Sequence, residues 1–165
     1  MVCRAVVLTA LVVGAAACAT SRSVAPEDLA ELPAYSFAAL RGVPVQVRVV
    51  DHRAGGEESE EWVSRVSADV SEALVRSGLA VDPSAPVVLE VRLNLLRSDF
   101  ENRQWKGCSK LTVELLGLGS RHQTVGEYCA TKSNLWGATT ADDVMALSYR
   151  DALAEALSNL DSELR

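Results

Sequence analysis

Cysteine is the most reactive residue type in this sequence, and four cysteines are present. Cys108 and Cys129 lie late in the chain, where two thiols can form a disulfide or bind a metal. A zinc site needs further cysteine or histidine ligands, but neither thiol belongs to a Cys-x-x-Cys motif, and His52 and His122 are isolated. The pattern therefore favours a disulfide over a metal site.

A third cysteine, Cys18, follows an apolar stretch at the amino terminus. Arg4 precedes an apolar run over residues 5–13 and then a series of small residues, which is the layout of an export signal. Residues 5–17 number thirteen, fewer than the about 20 that a membrane-spanning helix needs. The residues Ala15-Ala16-Ala17-Cys18 resemble the lipobox of bacterial lipoproteins, with Ala15 where leucine is usual.

The lipobox resemblance implies that the Cys18 thiol takes a diacylglycerol, that the chain is cut just before it, and that the new amino terminus receives an N-acyl chain. The rival is an ordinary secretory signal, because Ala15-Ala16-Ala17 also has the small-x-small pattern of the other signal peptidase. Cleavage leaves three cysteines, an odd number in an oxidising compartment, and lipidation of Cys18 would leave one pair. The count favours lipidation, and we expect no cofactor beyond these covalent lipids.

Ala19 stands where aspartate commonly signals retention in the inner membrane. Resemblance to that sorting rule implies the periplasmic face of the outer membrane, with the membrane itself as a partner through the anchor. We predict a signal peptide at 1–17, a lipidated tether at 18–40 with a short helix from Pro26 to Leu32, and one α/β domain at 41–165.

The charge balance limits the class of partner. Removing residues 1–17 takes away one arginine, so 15 basic residues remain against 22 acidic ones, a net charge of −7. Nucleic acids are bound through a positive patch, so we expect no nucleic-acid partner. The remaining 148 residues suit one domain.

Other residues with catalytic potential lack the neighbours that their chemistry needs. Asp51-His52 is half of an acid-base pair, but it lies at a strand end where a turn is commoner, and no serine nucleophile motif accompanies it. Gly117-Leu118-Gly119 lacks the third glycine of a phosphate loop. The acidic cluster at 57–61 fits a solvated helix start better than a calcium site. We therefore predict no catalytic residues, no metal and no enzymatic activity.

The first part of the domain has the pattern of a strand, a helix and a second strand. Val45, Val47 and Val49 alternate with polar residues and predict a strand. From Glu57 the apolar residues recur every three or four positions, which predicts a helix to about Ser77, closed by a left-handed Gly78. A second alternating strand covers 87–95, and this order is typical of a βαβ unit with parallel strands.

Two further strands, 105–116 and 122–132, form a predicted hairpin after a polar connection at 99–104. If the turn is centred between Leu118 and Gly119, opposed residues sum to 237. This register pairs Cys108 with Cys129 and Lys110 with Glu127. One register thus places two thiols opposite each other and two opposite charges opposite each other, which supports it. We predict a cross-strand disulfide on the polar face of the sheet.

The last element is a helix over 144–160, capped by Thr140 with help from Asp143. The apolar stripe of this helix predicts that it packs on the same sheet face as the first helix. The predicted fold class is α+β, a two-layer α/β sandwich. It has a mixed sheet of about four strands and two helices on one face, in the order β-α-β-β-β-α.

This layout behind a lipobox resembles small outer-membrane lipoproteins of the YajG type and, more distantly, the lipoprotein of the lipopolysaccharide-insertion machinery. The residues that carry the likeness are those of segments 42–53, 78–81, 86–91 and 151–160. The resemblance implies a two-layer α/β domain without enzymatic activity that acts at the outer membrane.

Two functions of different classes remain open at this point. The first is a binding or assembly module that contacts an envelope protein through its polar sheet face or through the loop of Trp136. The second is an envelope enzyme or small-ligand carrier with a pocket between helices and sheet. A third possibility is that the polar sheet face contacts only water. The candidate face residues are Arg48, Glu90, Arg92, Lys110 and Glu127.

Overall fold

The computed structural model describes residues 31–53, 60–134, 137 and 139–165. Its elements are a short 3-10 helix (Ala38–Leu40), β1 (Val45–Asp51), α1 (Glu60–Arg76), β2 (Val87–Glu101), β3 (Gln104–Leu116), β4 (His122–Ser133) and α2 (Ala141–Glu163). The predicted α+β fold class and the order β-α-β-β-β-α are confirmed, with the 3-10 helix as an addition. Cys18, Trp136, the start of the predicted helix at Pro26 and residues 57–59 lie outside the described part of the chain.

The four strands form one mixed sheet in the order β1-β2-β3-β4. Strand β1 is parallel to β2 across the intervening α1, as the βαβ pattern predicts, and β2, β3 and β4 are antiparallel neighbours. The β3–β4 register pairs residues whose numbers sum to 237, so Cys108 opposes Cys129 and Lys110 opposes Glu127. The predicted hairpin register is confirmed.

The predicted polar connection at 99–104 is wrong. Strand β2 continues to Glu101, β3 begins at Gln104, and only Asn102 and Arg103 form the turn. Both turn residues have positive φ, 52° and 61°. Such φ values match the twist of a tight two-residue hairpin. Asparagine accepts this conformation readily but arginine rarely adopts it, which is why the sequence did not reveal the turn.

Both helices pack on one face of the sheet, as predicted. Val66, Val70 and Leu74 of α1 and Tyr149 and Leu153 of α2 belong to the same buried core as the inward residues of β2 and β3. Helix α1 is followed by Gly78 in the left-handed conformation (φ 81°). The Thr140 hydroxyl accepts a hydrogen bond from the Asp143 backbone N–H, and the Asp143 carboxylate accepts one from the Thr140 backbone N–H. The predicted cap of α2 is therefore also confirmed.

A polar contact joins the two helices inside this layer, and the sequence did not suggest it. The Tyr149 hydroxyl donates to the Asp69 carboxylate over 2.9 Å, beside an edge-to-face contact between the Trp62 and Tyr149 rings. Burial raises the pKa of Asp69 although the Tyr149 hydrogen bond opposes the rise. The contact fixes α1 against α2 where a purely apolar stripe would leave their alignment less specific.

The end of the predicted tether is part of the folded domain. Tyr35, Phe37 and Leu40 lie in the hydrophobic core, and Phe37 and Leu40 are fully buried. We call residues 35–40 the strap. The packed chain therefore begins before the predicted boundary at residue 41, because three large side chains, spaced two and three residues apart, are buried in the core.

Candidate functional site: the open face of the sheet

The face of the sheet away from the helices carries the candidate residues as an ordered set of charges. Alternate residues of each strand point to this open face. The pairing of Arg48 with Glu90, of Arg92 with Thr112 and of Lys110 with Glu127 brings β1, β2, β3 and β4 together there. The five candidates named from the sequence are therefore neighbours on one surface.

Glu90 is the centre of the charges contributed by β1 and β2. Its carboxylate is paired with Arg48 and accepts from the Arg92 Nε over 2.6 Å. The Glu90 side chain is 8% exposed, whereas that of Arg48 is 51% exposed. The arginines thus lie over the carboxylate and shield it from water.

Burial by itself would raise the pKa of Glu90. Hydrogen bonds from Arg92 and Arg48 outweigh burial, and the pKa of Glu90 lies below its ordinary value. The hydrogen bond to Glu90 correspondingly raises the pKa of Arg92. Both groups therefore stay charged at neutral pH, and a carboxylate held in this way is a poor general base.

A second buried carboxylate, Glu114 of β3, extends the array and was missed from the sequence. Glu114 opposes Glu90 directly in the register, and its side chain is 2% exposed. It accepts from the Arg92 Nη2 over 2.8 Å and also pairs with Arg121. The signal that would have found it is the register itself, because two opposed carboxylates require a cation between them, and Arg92 occupies that place.

The β3–β4 side of the face is more open to water. The Lys110 Nζ and a Glu127 oxygen are 2.7 Å apart, and their side chains are 43% and 56% exposed. Next to them Cys108 and Cys129 form a disulfide with a Cα–Cα distance of 4.1 Å. The predicted disulfide is confirmed, and with both thiols consumed the metal reading of this pair is wrong.

The other sequence candidates have structural roles. The buried Asp51 carboxylate accepts from the Arg53 backbone N–H over 3.1 Å and from its guanidinium, which fixes the turn after β1. The His52 backbone N–H donates to the Leu93 carbonyl. Gly117 and Gly119 both have positive φ in the β3–β4 turn. Glu60 and Glu61 occupy the first turn of α1, where the helix dipole favours them.

Two properties of the described residues bear on the membrane and metal hypotheses. Within residues 31–53, 60–134 and 139–165, no helix is both long and apolar enough to cross a membrane. The same part of the chain holds no cluster of three or more histidine, cysteine, aspartate or glutamate side chains suited to a metal ion.

Comparisons with known proteins identify similar folds and no family. No protein-family model matches the chain, and no curated protein matches it. The hypothetical protein CT253 from Chlamydia trachomatis aligns with a TM-score of 0.52 at 12% identity, covering 74% of this chain and 98% of its own. At that identity the likeness shows a shared fold alone.

Two more distant structures are matched as well. Lipoprotein GNA1162 from Neisseria meningitidis has a TM-score of 0.48 at 8% identity, covering 73% of this chain and 99% of its own. PelC from Paraburkholderia phytofirmans has a TM-score of 0.47 at 15% identity, covering 80% of this chain and 93% of its own. Likeness at this level does not extend to function.

Proposed function

We propose that this chain is a non-enzymatic binding or assembly module of the bacterial cell envelope, held at the periplasmic face of the outer membrane through acylated Cys18. The observation that carries the proposal is the open sheet face, an ordered array of charges left uncovered by the helices. The resemblance to YajG-type lipoproteins is part of this proposal.

The array suits recognition of another protein. Glu90 and Glu114 hold Arg48, Arg92 and Arg121 in place, so a partner would meet side chains whose positions are already fixed and whose ordering costs little further entropy. Positive and negative groups are interspersed on the face. Such a mixed pattern selects a partner with the complementary pattern, whereas nucleic acid would require a uniformly positive surface.

The alternative, an enzyme or small-ligand carrier with a pocket between helices and sheet, has less support. Tyr149, Leu153 and Leu157 of α2 are fully buried, as are Leu89 and Leu111 from the sheet beneath. These side chains occupy the layer in which such a ligand would have to lie. The packing therefore favours recognition on the outer face.

Lipidation of Cys18 is supported by the cysteine count. The disulfide joins Cys108 to Cys129 and leaves the mature chain without a second cysteine for Cys18. An unpaired thiol in an oxidising compartment requires another fate. Labelled palmitate should be incorporated by the wild-type chain and not by Cys18→Ala, and equal incorporation by both would overturn the anchor.

Photocrosslinking in cells tests the binding face. A photoreactive residue is placed at Arg48 or Lys110 on the open face and, as a control, at Val75, which is 59% exposed on α1. We expect a discrete adduct from the face positions, with the same envelope protein identified from both, and none from Val75. Absence of an adduct from both face positions would overturn the binding role and leave the palmitate result unaffected.

A further inference from the structure

Strand β2 is longer than its neighbour β1, so its last residues extend past the end of β1. Strand β1 pairs with β2 only over Val87–Leu93. After an irregularity between Leu93 and Leu95, the final residues 95–101 pair with β3 alone. Within the described residues no other segment is hydrogen-bonded along this stretch.

The direction of the backbone groups along this edge follows from the register. Cys108 and Cys129 lie 4.1 Å apart at Cα, the short spacing of a pair that does not exchange backbone hydrogen bonds. The N–H and C=O of Cys108 therefore point to β2, where they meet Arg97. Because successive residues in a strand point to opposite sides, Leu96, Ser98 and Phe100 direct their backbone groups to the free edge.

The other antiparallel edge of the sheet, on β4, is guarded, whereas none of the described residues guards the β2 edge. On β4 the outward backbone N–H of Glu127 donates to the Glu155 carboxylate of α2 over 3.0 Å. A carboxylate at that place blocks the approach of another strand. The β2 edge has neither proline nor glycine over 95–101, and it carries an exposed aromatic ring, Phe100, which is 53% exposed. Unpaired edges of this kind add strands from other chains.

The sequence of the edge is complementary to itself. In an antiparallel pairing of two copies about Ser98, Arg97 of each copy faces Asp99 of the other, and Leu96 faces Phe100. The charged side chains lie on the open face, 63% and 55% exposed. Leu96 and Phe100 lie on the helix side, where Leu96 packs against the core and the Phe100 ring contacts the Trp105 ring in a tilted arrangement, with 4.9 Å between centroids. Each side chain thus meets a suitable partner.

Other registers are unfavourable. In an antiparallel pair of β2 strands, each residue whose backbone groups point to the edge must lie opposite such a residue of the other copy. The two-fold axis can therefore pass through Ser98 or through a neighbouring residue, but not between two residues. An axis at Arg97 would oppose two arginines, and an axis at Asp99 would oppose two aspartates. Like charges directly opposite each other are destabilising. The axis at Ser98 creates two attractive pairs and opposes no like charges.

We propose that two copies of this chain associate through antiparallel pairing of β2 about Ser98, which joins their sheets into one of eight strands. The partner is thus a second copy of the same chain. The inference rests on the edge of the sheet and is independent of the lipid anchor and of the function proposed for the open face.

Charge reversal tests the pairing on the full chain in detergent, with the protein mass measured by light scattering as a function of concentration. Wild type should show twice the monomer mass and dissociate on dilution. Arg97→Asp and Asp99→Arg should each raise the dissociation constant about tenfold or more, and the double variant should restore it. Lys132→Glu, an exposed β4 residue away from the edge, is the control and should behave as wild type.

Two further variants address the backbone and the axis. Ser98→Pro removes an N–H that points outward, so the fold should persist while the dimer is lost. Ser98→Cys should give an oxidised, covalently linked dimer, because hydrogen-bonded pairs have Cα atoms about 5.5 Å apart. Val75→Cys should not. A wild type that is monomeric at every concentration, single reversals that dimerise normally, or a double variant no better than the singles would overturn the proposal.

Discussion

At the scale of single residues, burial separates the carboxylates of the open face into two kinds. Glu114 is 2% exposed between two arginines, whereas Glu127 is 56% exposed beside Lys110. A pair held away from water depends on its partner's charge, while water and salt screen an exposed pair. Equal-looking ion pairs on one surface therefore contribute unequally to stability.

We expect Glu114→Gln to lower the free energy of unfolding by about 1–2 kcal/mol, because charged hydrogen bonds from Arg92 and Arg121 become weaker neutral ones. Glu127→Gln, the matched control, should cost about 0.5 kcal/mol or less. Urea denaturation of both variants measures the difference. Equal losses of unfolding free energy in the two variants would show that the buried carboxylate contributes no more to stability than the exposed one.

The lowered pKa of Glu90 predicts a dependence on pH. Because Arg92 and Arg48 hold its pKa in the fold below the ordinary value of 4.5, the ionised group stabilises the fold above about pH 4.5. That stabilisation is lost as the pH falls through the lower pKa of the folded state. The gap in unfolding free energy between wild type and Glu90→Gln should therefore be largest near neutral pH and shrink in acid. A gap that grows in acid would contradict this assignment.

At the scale of elements, the β3–β4 hairpin is fastened in two ways. The disulfide joins strands whose cysteines are 21 residues apart. Closing a loop of that length in the unfolded chain contributes about 3 kcal/mol. The double variant Cys108→Ala with Cys129→Ala should lose about that amount in urea denaturation. Wild type under reducing conditions should match it, and an unchanged midpoint in both would refute the contribution.

The second fastening is the close approach of α2 to β4 at Gly126. A Cβ atom built there would lie 1.8 Å from the Ala152 carbonyl oxygen, so any side chain must push the helix away. We expect Gly126→Ala to cost about 3 kcal/mol or more. The control Gly119→Ala has open space around it and should cost about 1 kcal/mol, from its positive φ alone. Thermal unfolding of both distinguishes packing from backbone strain.

The elements that could be predicted from sequence are those fixed by local pattern. Alternation identified the strands, the three- and four-residue spacing identified the helices, and the charge and thiol pairs fixed the hairpin register at once. Burial of Glu114 and the bond between Tyr149 and Asp69 depend on contacts between distant segments, which no local period encodes. The Asn102–Arg103 turn was missed because an arginine with positive φ goes against the usual turn preference.

At the scale of the whole molecule, the strap determines where the chain enters the domain. The Asp161 carboxylate of α2 accepts from the Ser36 N–H over 3.1 Å, the Ser36 hydroxyl over 2.8 Å and the Phe37 N–H over 2.5 Å. The Tyr35 N–H donates to the Ser77 hydroxyl. Burial, together with the charge of Asp161, raises the pKa of Tyr35 to about 12. The strap is therefore held both at the end of α2 and at the residue that follows α1.

Removing the carboxylate should release the strap and leave the rest of the domain folded. Asp161→Ala deletes the oxygen that accepts all three hydrogen bonds, and Phe37, whose φ is +38°, loses the bond from its N–H that helps to hold this strained backbone. Chymotrypsin cuts after aromatic residues, and Tyr35 and Phe37 are buried in wild type. We expect cleavage in the strap to become about tenfold faster or more because local opening is easier. The control Ser162→Ala changes an exposed neighbour and should be cleaved at the wild-type rate. Similar rates for Asp161→Ala and wild type would mean that the apolar side chains alone hold the strap. The link between the amino-terminal segment and the domain would then withstand acid that protonates Asp161.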